Sequence, residues 1–196
     1  MPSPTCSSPC ADVPRLHLVR HGRAGARWEA DPDPGLDDTG RAQAEAVADR
    51  LAPLGPLGLV TSPLRRTRET AAPLARRWGV EPAVEPGVGE VAAPPLAPEE
   101  RGPWLAAVMA GRWADQADDL RRWRDTVLAT LLALPADTVV VTHFVAVNVA
   151  VGAATGDDRV LRFRPANASV TVLDADAGGL RLVALGEEGT TVVRPA

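Results

Sequence analysis

Cysteine is scarce in this chain: Cys6 and Cys10 are the only two among 196 residues, and both fall in a Pro/Ser-rich opening stretch without apolar periodicity. A Cys-x3-Cys pair with no second pair and no nearby histidine is a weak metal signal, so no structural zinc is expected; no cofactor is expected either. The same stretch has no basic start and no apolar h-region, which argues against a secretory signal and leaves a reducing cytoplasm as the expected compartment. Positive charge is not in excess either. A net charge of -4 lacks the broad electrostatic footprint of a nucleic-acid or membrane-surface binder, so any anion must be recognised locally. Nor is there a long uninterrupted apolar run. The most apolar window, 139–156, contains Thr142, His143 and Asn148, and fits a strand followed by a helix better than a membrane span.

What is present suits one ordinary folded unit. Hydrophobic residues make up 45% of the chain, close to the globular norm. Residues 1–13 read as a flexible N-terminal tail and 14–196 as a single domain. Apolar or β-branched runs at 16–20, 58–62, 80–84, 139–142, 169–173 and 180–184 read as strands, the last two as a hairpin about Gly178-Gly179. Helical spacing is found over 41–51 behind a cap at Asp38-Thr39-Gly40, over 63–78 opened by Pro63, and over 99–112, 115–134 and 143–155. Residues 93–98 are a Pro-rich excursion, and Trp104, Trp113 and Trp123 read as packing residues. Strands alternating with helices predict an α/β fold, a three-layer sandwich with a mostly parallel central sheet and helices on both faces.

Three of these strands end in chemistry. The first, Leu16-His17-Leu18-Val19-Arg20-His21-Gly22, stops abruptly with a guanidinium, an imidazole and a glycine at its carboxyl end, where open α/β sheets bind ligands. A guanidinium forks onto phosphate oxygens, an imidazole serves as nucleophile or proton carrier, and glycine permits close backbone approach to a ligand. The second strand ends at Thr61-Ser62 and leads to Arg65, Arg66 and Arg68. Arginines opening a helix oppose its macrodipole, so their clustering suggests that they balance an anion. The third ends at Thr142-His143. Taken singly, each has a plain alternative as a solvated strand end or basic helix face, and His17 reads as a strand histidine facing away from the chemistry. The argument lies in their convergence at one edge of a parallel sheet.

With these residues in place, the chain resembles the histidine phosphatase superfamily, also called phosphoglycerate-mutase-like. Leu16 to Gly22 matches its Leu-x-Leu-Val-Arg-His-Gly hallmark. Ser62-Pro63-Leu64-Arg65-Arg66-Thr67-Arg68-Glu69-Thr70-Ala71 is similar to its second block, whose register makes Arg66 the site arginine rather than Arg65 or Arg68. Val139 to His143 resembles the third block, and the likeness runs from about Arg15 to Leu182. The resemblance implies a phosphohistidine on His21, phosphoryl oxygens held by Arg20, Arg66 and His143, and hydrolysis by water without a metal. It also implies a carboxylic acid soon after the third strand of the chain, which Val88-Gly89-Glu90 matches. Glu90 would then protonate the leaving oxygen, the bound phosphate dianion keeping it protonated, with a solvated loop glutamate as the plain alternative. Gly22, Arg27, Ser62 and Phe144 are the candidate substrate-binding residues.

Departures shape the expected function. Phe144 stands where the family usually has glycine, so a bulkier pocket wall and narrower access are expected there. The Thr-x-Trp-Asn run that often follows the first glycine in mutases and sugar-phosphate enzymes is missing. Arg27 is a substitute anion contact or else an exposed loop residue, and Asn167 resembles a family position near the site entrance but reads more readily as a turn residue. The expected activity is a metal-independent phosphomonoesterase, acting on a phosphorylated small molecule or a phosphoprotein. A phosphoglycerate-type mutase and a non-catalytic phosphate-binding module are the alternatives. Trp28, the stretch near Pro94 and the helix from about Glu99 are expected to cap the site, while the oligomeric state stays open.

Overall fold

The computed structural model describes residues 13–26, 31 and 33–189, so the tail with both cysteines, and Arg27 and Trp28, lie outside the described residues. Its strands are β1 (Arg15–Arg20), β2 (Gly58–Thr61), β3 (Ala83–Val84), β4 (Thr138–Thr142), β5 (Val170–Asp176) and β6 (Gly179–Ala184). They form one sheet in the order β3-β2-β4-β1-β5-β6. The pairs β1/β4, β2/β4 and β2/β3 are parallel, whereas β5 runs antiparallel to β1 and closes with β6 as a hairpin. Expected strand 80–84 shrinks to Ala83–Val84, an exposed edge held only by Val60 and Thr61.

The helices are α1 (Asp38–Leu51), α2 (Arg65–Trp78), α3 (Pro98–Ala110), α4 (Asp118–Leu132) and α5 (Phe144–Thr155). The α1 cap is Asp37, whose side chain accepts from the Gly40 amide at 2.7 Å, rather than the neighbouring Asp38. Pro63 stays outside α2, and the α2 terminus is instead held by Asp33, which accepts from the Arg65 amide at 2.7 Å. The helix expected over 115–134 begins only at Asp118, after a short 3-10 segment, Trp113–Asp115, in which Trp113 is buried.

Two apolar layers flank the sheet, as the period of two along each strand requires. Val19, Val139 and Val141 pack against Val47, Leu51, Ala71 and Leu74 of α1 and α2. Leu16, Leu18 and Val140 face the other way, onto Val108 of α3, Val127 and Leu131 of α4 and Val145 and Val149 of α5. Burying each such side chain contributes about 1.5–3 kcal/mol, so the sheet is stabilised from both sides. Central β4 is buried at every residue, which is why it is an unbroken β-branched run without alternation. Helix α5 is apolar nearly all round because it lies between the sheet, α4 and β6, and it stops at Gly156 in a left-handed conformation, φ 63°.

This order sets β2, β4 and β1 side by side with their carboxyl ends aligned. The ladder runs one residue past each strand: the His21 amide donates to Thr142 O at 3.0 Å and the Ser62 amide to Val141 O at 3.2 Å. Arg20, His21, Ser62 and His143 are thereby fixed by backbone pairing before any side-chain contact is considered. Among the described residues, no helix is long and apolar enough to cross a membrane.

Candidate active site

The two histidines meet where β1 and β4 end. Their ring centroids are 5.3 Å apart in an edge-to-face arrangement at 61°. His21 is held from both nitrogens. Nδ1 lies 2.7 Å from the Gly22 carbonyl, which only accepts, so Nδ1 carries the proton. That leaves a lone pair on Nε2, which accepts from Arg66 Nε–H at 3.2 Å. Burial first, then the charges of Arg20 and Arg66, push the His21 pKa down to about 3, so the ring is neutral at physiological pH. His143 is also driven well below the usual histidine range by burial and by His21, Arg66 and Arg20.

Both arginines are buried. Arg20 Nη1–H donates to Pro165 O at 2.7 Å, and its guanidinium carbon sits 5.0 Å from the centre of the Phe144 ring. Burial lowers its pKa to about 10, which leaves it cationic at neutral pH. Arg66 Nη1 is buried without a hydrogen-bond partner. In contrast, Arg65 and Arg68 on the same helix are exposed, Arg65 in an ion pair with Glu69 at 2.6 Å. A cavity of about 170 Å³ opens over this cluster, lined by His21, Arg66, Glu90, Ala24, Val91 and Leu105 among others. Glu90 accepts from the Val91 amide at 3.0 Å, yet burial outweighs this and the nearby arginines, raising its pKa to about 7.

Three residues expected to bind substrate are held by contacts within the protein. The Gly22 amide donates to Thr70 Oγ1 at 2.9 Å, and an added Cβ would come within 2.6 Å of Gly40 O. It is glycine because β1 and the start of α1 touch there. Ser62 is fully buried and its Oγ lies 2.7 Å from His143 Nε2. Phe144 is buried in the core, with the Arg20 guanidinium carbon over its ring. The expected contact Arg27 and the cap residue Trp28 lie outside the described residues. From the expected cap, α3 contributes Leu105 to the cavity lining.

Sequence reasoning missed several fastenings. Asn167 Nδ2–H donates to His21 O at 3.0 Å, and Thr70 Oγ1–H donates to Arg66 O at 2.7 Å. Thr142 Oγ1–H donates to Val88 O at 2.6 Å, tying the end of β4 to the segment that carries Glu90. The two α2 threonines left a signal: Arg66, Thr67, Thr70, Ala71 and Leu74 form its buried face, and hydroxyls on such a stripe need partners.

A sequence profile for the histidine phosphatase superfamily (branch 1) matches residues 16–188. The chain belongs to this superfamily. Among curated relatives, a glucosyl-3-phosphoglycerate phosphatase of Mycobacterium tuberculosis is 32% identical over 115 residues, 57% of this chain and 48% of that protein. A probable phosphoglycerate mutase of Erwinia tasmaniensis is 27% identical over 184 residues, 82% of this chain and 84% of that protein. The first curated relatives are matched over less than half of their own length, 14% and 41% for the first two. Among solved structures, a mycobacterial glucosyl-3-phosphoglycerate phosphatase complexed with VO3 superposes with a TM-score of 0.66 at 25% identity, covering 88% of this chain and 98% of that one. Bacillus stearothermophilus YhfR shares the fold at a TM-score of 0.73 and 16% identity, over 89% of this chain and 98% of its own.

Proposed function

We propose that this member of the superfamily is a phosphomonoesterase that works through a phosphohistidine on His21. The observation that carries the reading is the tautomer of His21: with Nδ1–H given to Gly22 O, a neutral ring turns its Nε2 lone pair toward the cavity shared with Arg66 and Glu90. In the first step Nε2 attacks phosphorus and the ester P–O bond breaks. Arg66 Nε–H then turns from the ring nitrogen to a phosphoryl oxygen, and Arg20 and His143 hold the others. The departing alkoxide takes the proton of Glu90, leaving a carboxylate. Water next attacks the phosphohistidine, gives its proton to Glu90, and the P–N bond breaks to release phosphate and neutral His21.

Two named relatives support phosphatase chemistry on a phosphorylated small molecule, and the match to a probable phosphoglycerate mutase keeps a second reading in view. The two differ in how long the phosphoenzyme survives water. The test is a screen of phosphorylated metabolites and p-nitrophenyl phosphate, with an alkaline quench and mass spectrometry of the His21 peptide. We expect phosphate release, an added phosphoryl group on His21, and loss of turnover by at least about a thousandfold in His21→Ala. A His21→Ala variant that still turns over overturns the nucleophile. A phosphoenzyme that persists in water and passes its phosphoryl group to an acceptor alcohol overturns the hydrolase in favour of the mutase.

A further inference from the structure

Ser62, His143 and Thr67 form a buried chain of side chains, each fully shielded from solvent. Ser62 Oγ lies 2.7 Å from His143 Nε2 and 2.9 Å from Thr67 Oγ1, and it accepts from the Leu64 amide at 3.3 Å. Thr67 Oγ1 also lies 2.7 Å from Leu64 O and 3.0 Å from Ser62 O. The remaining nitrogen of the imidazole, His143 Nδ1, is buried with no hydrogen-bond partner.

A neutral imidazole has one N–H, so its position decides whether His143 can donate toward a ligand. Two proton arrangements fit these distances. In one, Thr67 donates to Leu64 O, Ser62 donates to Thr67, and His143 Nε2–H donates to Ser62. Every hydroxyl is then satisfied, but Nδ1 bears a lone pair that would repel a phosphoryl oxygen. In the other, Ser62 donates to Nε2 and the single ring proton sits on Nδ1, free to donate. A serine hydroxyl can rotate between these two roles, which alanine cannot fill.

We propose that Ser62, seated by Thr67, is a positioning residue that sets the His143 tautomer, donating to Nε2 when a phosphoryl group is present so that Nδ1–H donates to it. Its use in turnover rests on the phosphoryl-transfer reading above, whereas the tautomer itself does not depend on turnover. The change conserves atoms: the hydroxyl rotates, Nε2 gives its proton to water and Nδ1 takes one from water, and His143 begins and ends neutral. Thr67 restricts the serine to these two orientations, and the amide of Leu64 occupies one of its lone pairs in both.

The direct test is two-bond 1H–15N correlation of the full-length protein labelled with 15N-histidine, recorded alone and with inorganic phosphate or vanadate. The expected result is an Nε2–H tautomer of His143 in the free protein and an Nδ1–H tautomer in the phosphate complex. In Ser62→Ala the Nδ1–H form is lost from the complex, and kcat falls on the order of a hundredfold with a smaller change in KM, as for other losses of a histidine's orienting partner. Thr67→Val, which keeps shape but lacks the hydroxyl, shifts the same signals. Thr67→Ser, which keeps the hydroxyl, restores the tautomer response, and thermal unfolding shows whether either variant is merely misfolded. An Nε2–H tautomer retained with phosphate bound, signals of His143 indifferent to phosphate, or an unaltered tautomer in Ser62→Ala would each overturn the proposal. Failure of His21→Ala to lose turnover overturns the phosphohistidine reading instead, with the tautomer result unaffected.

Discussion

In the proposed reaction, replacing Glu90 by glutamine removes one proton donor and little else, so it isolates the acid's share of the chemistry. Burial raises the carboxyl from 4.5 to about 7. At pH 6 an ordinary glutamate is only ~3% protonated, while a group titrating near 7 is ~90% protonated, so the fold supplies about thirty times more acid there. General acid catalysis contributes roughly 10²–10⁴-fold, and we expect Glu90→Gln to lose that much kcat/KM on alkyl phosphates. On p-nitrophenyl phosphate, whose leaving phenolate needs no proton, the loss should be under about tenfold. The wild-type rate should decline as pH rises through about 7, where Glu90 gives up its proton, and this limb should be missing in the variant. Ionisation of the substrate is common to both proteins and cancels in their ratio. Stability gives an independent sign. A carboxyl whose folded pKa is raised contributes stability that is complete below 4.5 and lost as pH climbs to about 7, at most about 3 kcal/mol. Urea unfolding should therefore find the variant gaining on wild type at pH 8 relative to pH 4. Equal losses on both substrates, or an alkaline limb that survives in Glu90→Gln, would refute the role of Glu90 as acid.

Other perturbations probe the frame around it. Arg66→Lys replaces a fork by a point charge and loses the Nε–H that faces His21; kcat/KM should fall about 10²–10³-fold in steady-state assays while the fold persists. Gly22→Ala sets a methyl 2.6 Å from Gly40 O, a backbone atom that cannot swing aside, and should cost roughly 1–3 kcal/mol or more by urea unfolding. Thr142→Val keeps shape but strands the Val88 carbonyl, so we expect a loss of about 1–3 kcal/mol, and lower kcat on alkyl phosphates through displacement of Glu90. Vanadate or phosphate should raise the melting temperature, by the equivalent of about 2.7 kcal/mol at a hundred times Kd, and Arg66→Ala should abolish most of that shift.

The fold was legible where local pattern and tertiary role coincide. β1, β2 and β4 are short apolar runs that end in polar groups, and parallel strands buried on both faces look just like that. β3 was overdrawn because Pro82 has no amide proton to give the ladder and the Val80 amide donates to Ala75 O at the end of α2, so pairing begins only at Ala83. The α1 cap slipped by one residue because Asp37 and Asp38 are equally good caps on paper and only the geometry of the Gly40 amide separates them. The candidate site divides the same way. Residue type and strand-end position were enough to bring Arg20, His21, Arg66 and His143 to one edge. They were not enough for Gly22, Ser62 or Phe144, whose roles are set by partners far along the chain: Gly40, His143 and Arg20. Asn167 looked like a turn residue because its one telling bond is to the carbonyl of His21, 146 residues away.

One physical cause assigns the different protonation states in this cluster. Burial disfavours the charged form of every group in it, but the groups start from different places. Histidine starts at 6.5, so the same environment that takes His21 to about 3 leaves its ring neutral, as the proposed attack requires. Glutamate starts at 4.5 and moves the other way, to about 7, becoming a carboxyl that holds its proton near neutrality and can still release it. Arginine starts highest of the three, and a fall to about 10 in Arg20 leaves the cation intact. A lysine starting near 10.4 and lowered by a similar amount would approach about 8 and lose much of its charge in alkaline solution. Arginine is therefore the residue that can be buried beside a neutral histidine and remain cationic, and its positive charge in turn helps to keep that histidine neutral.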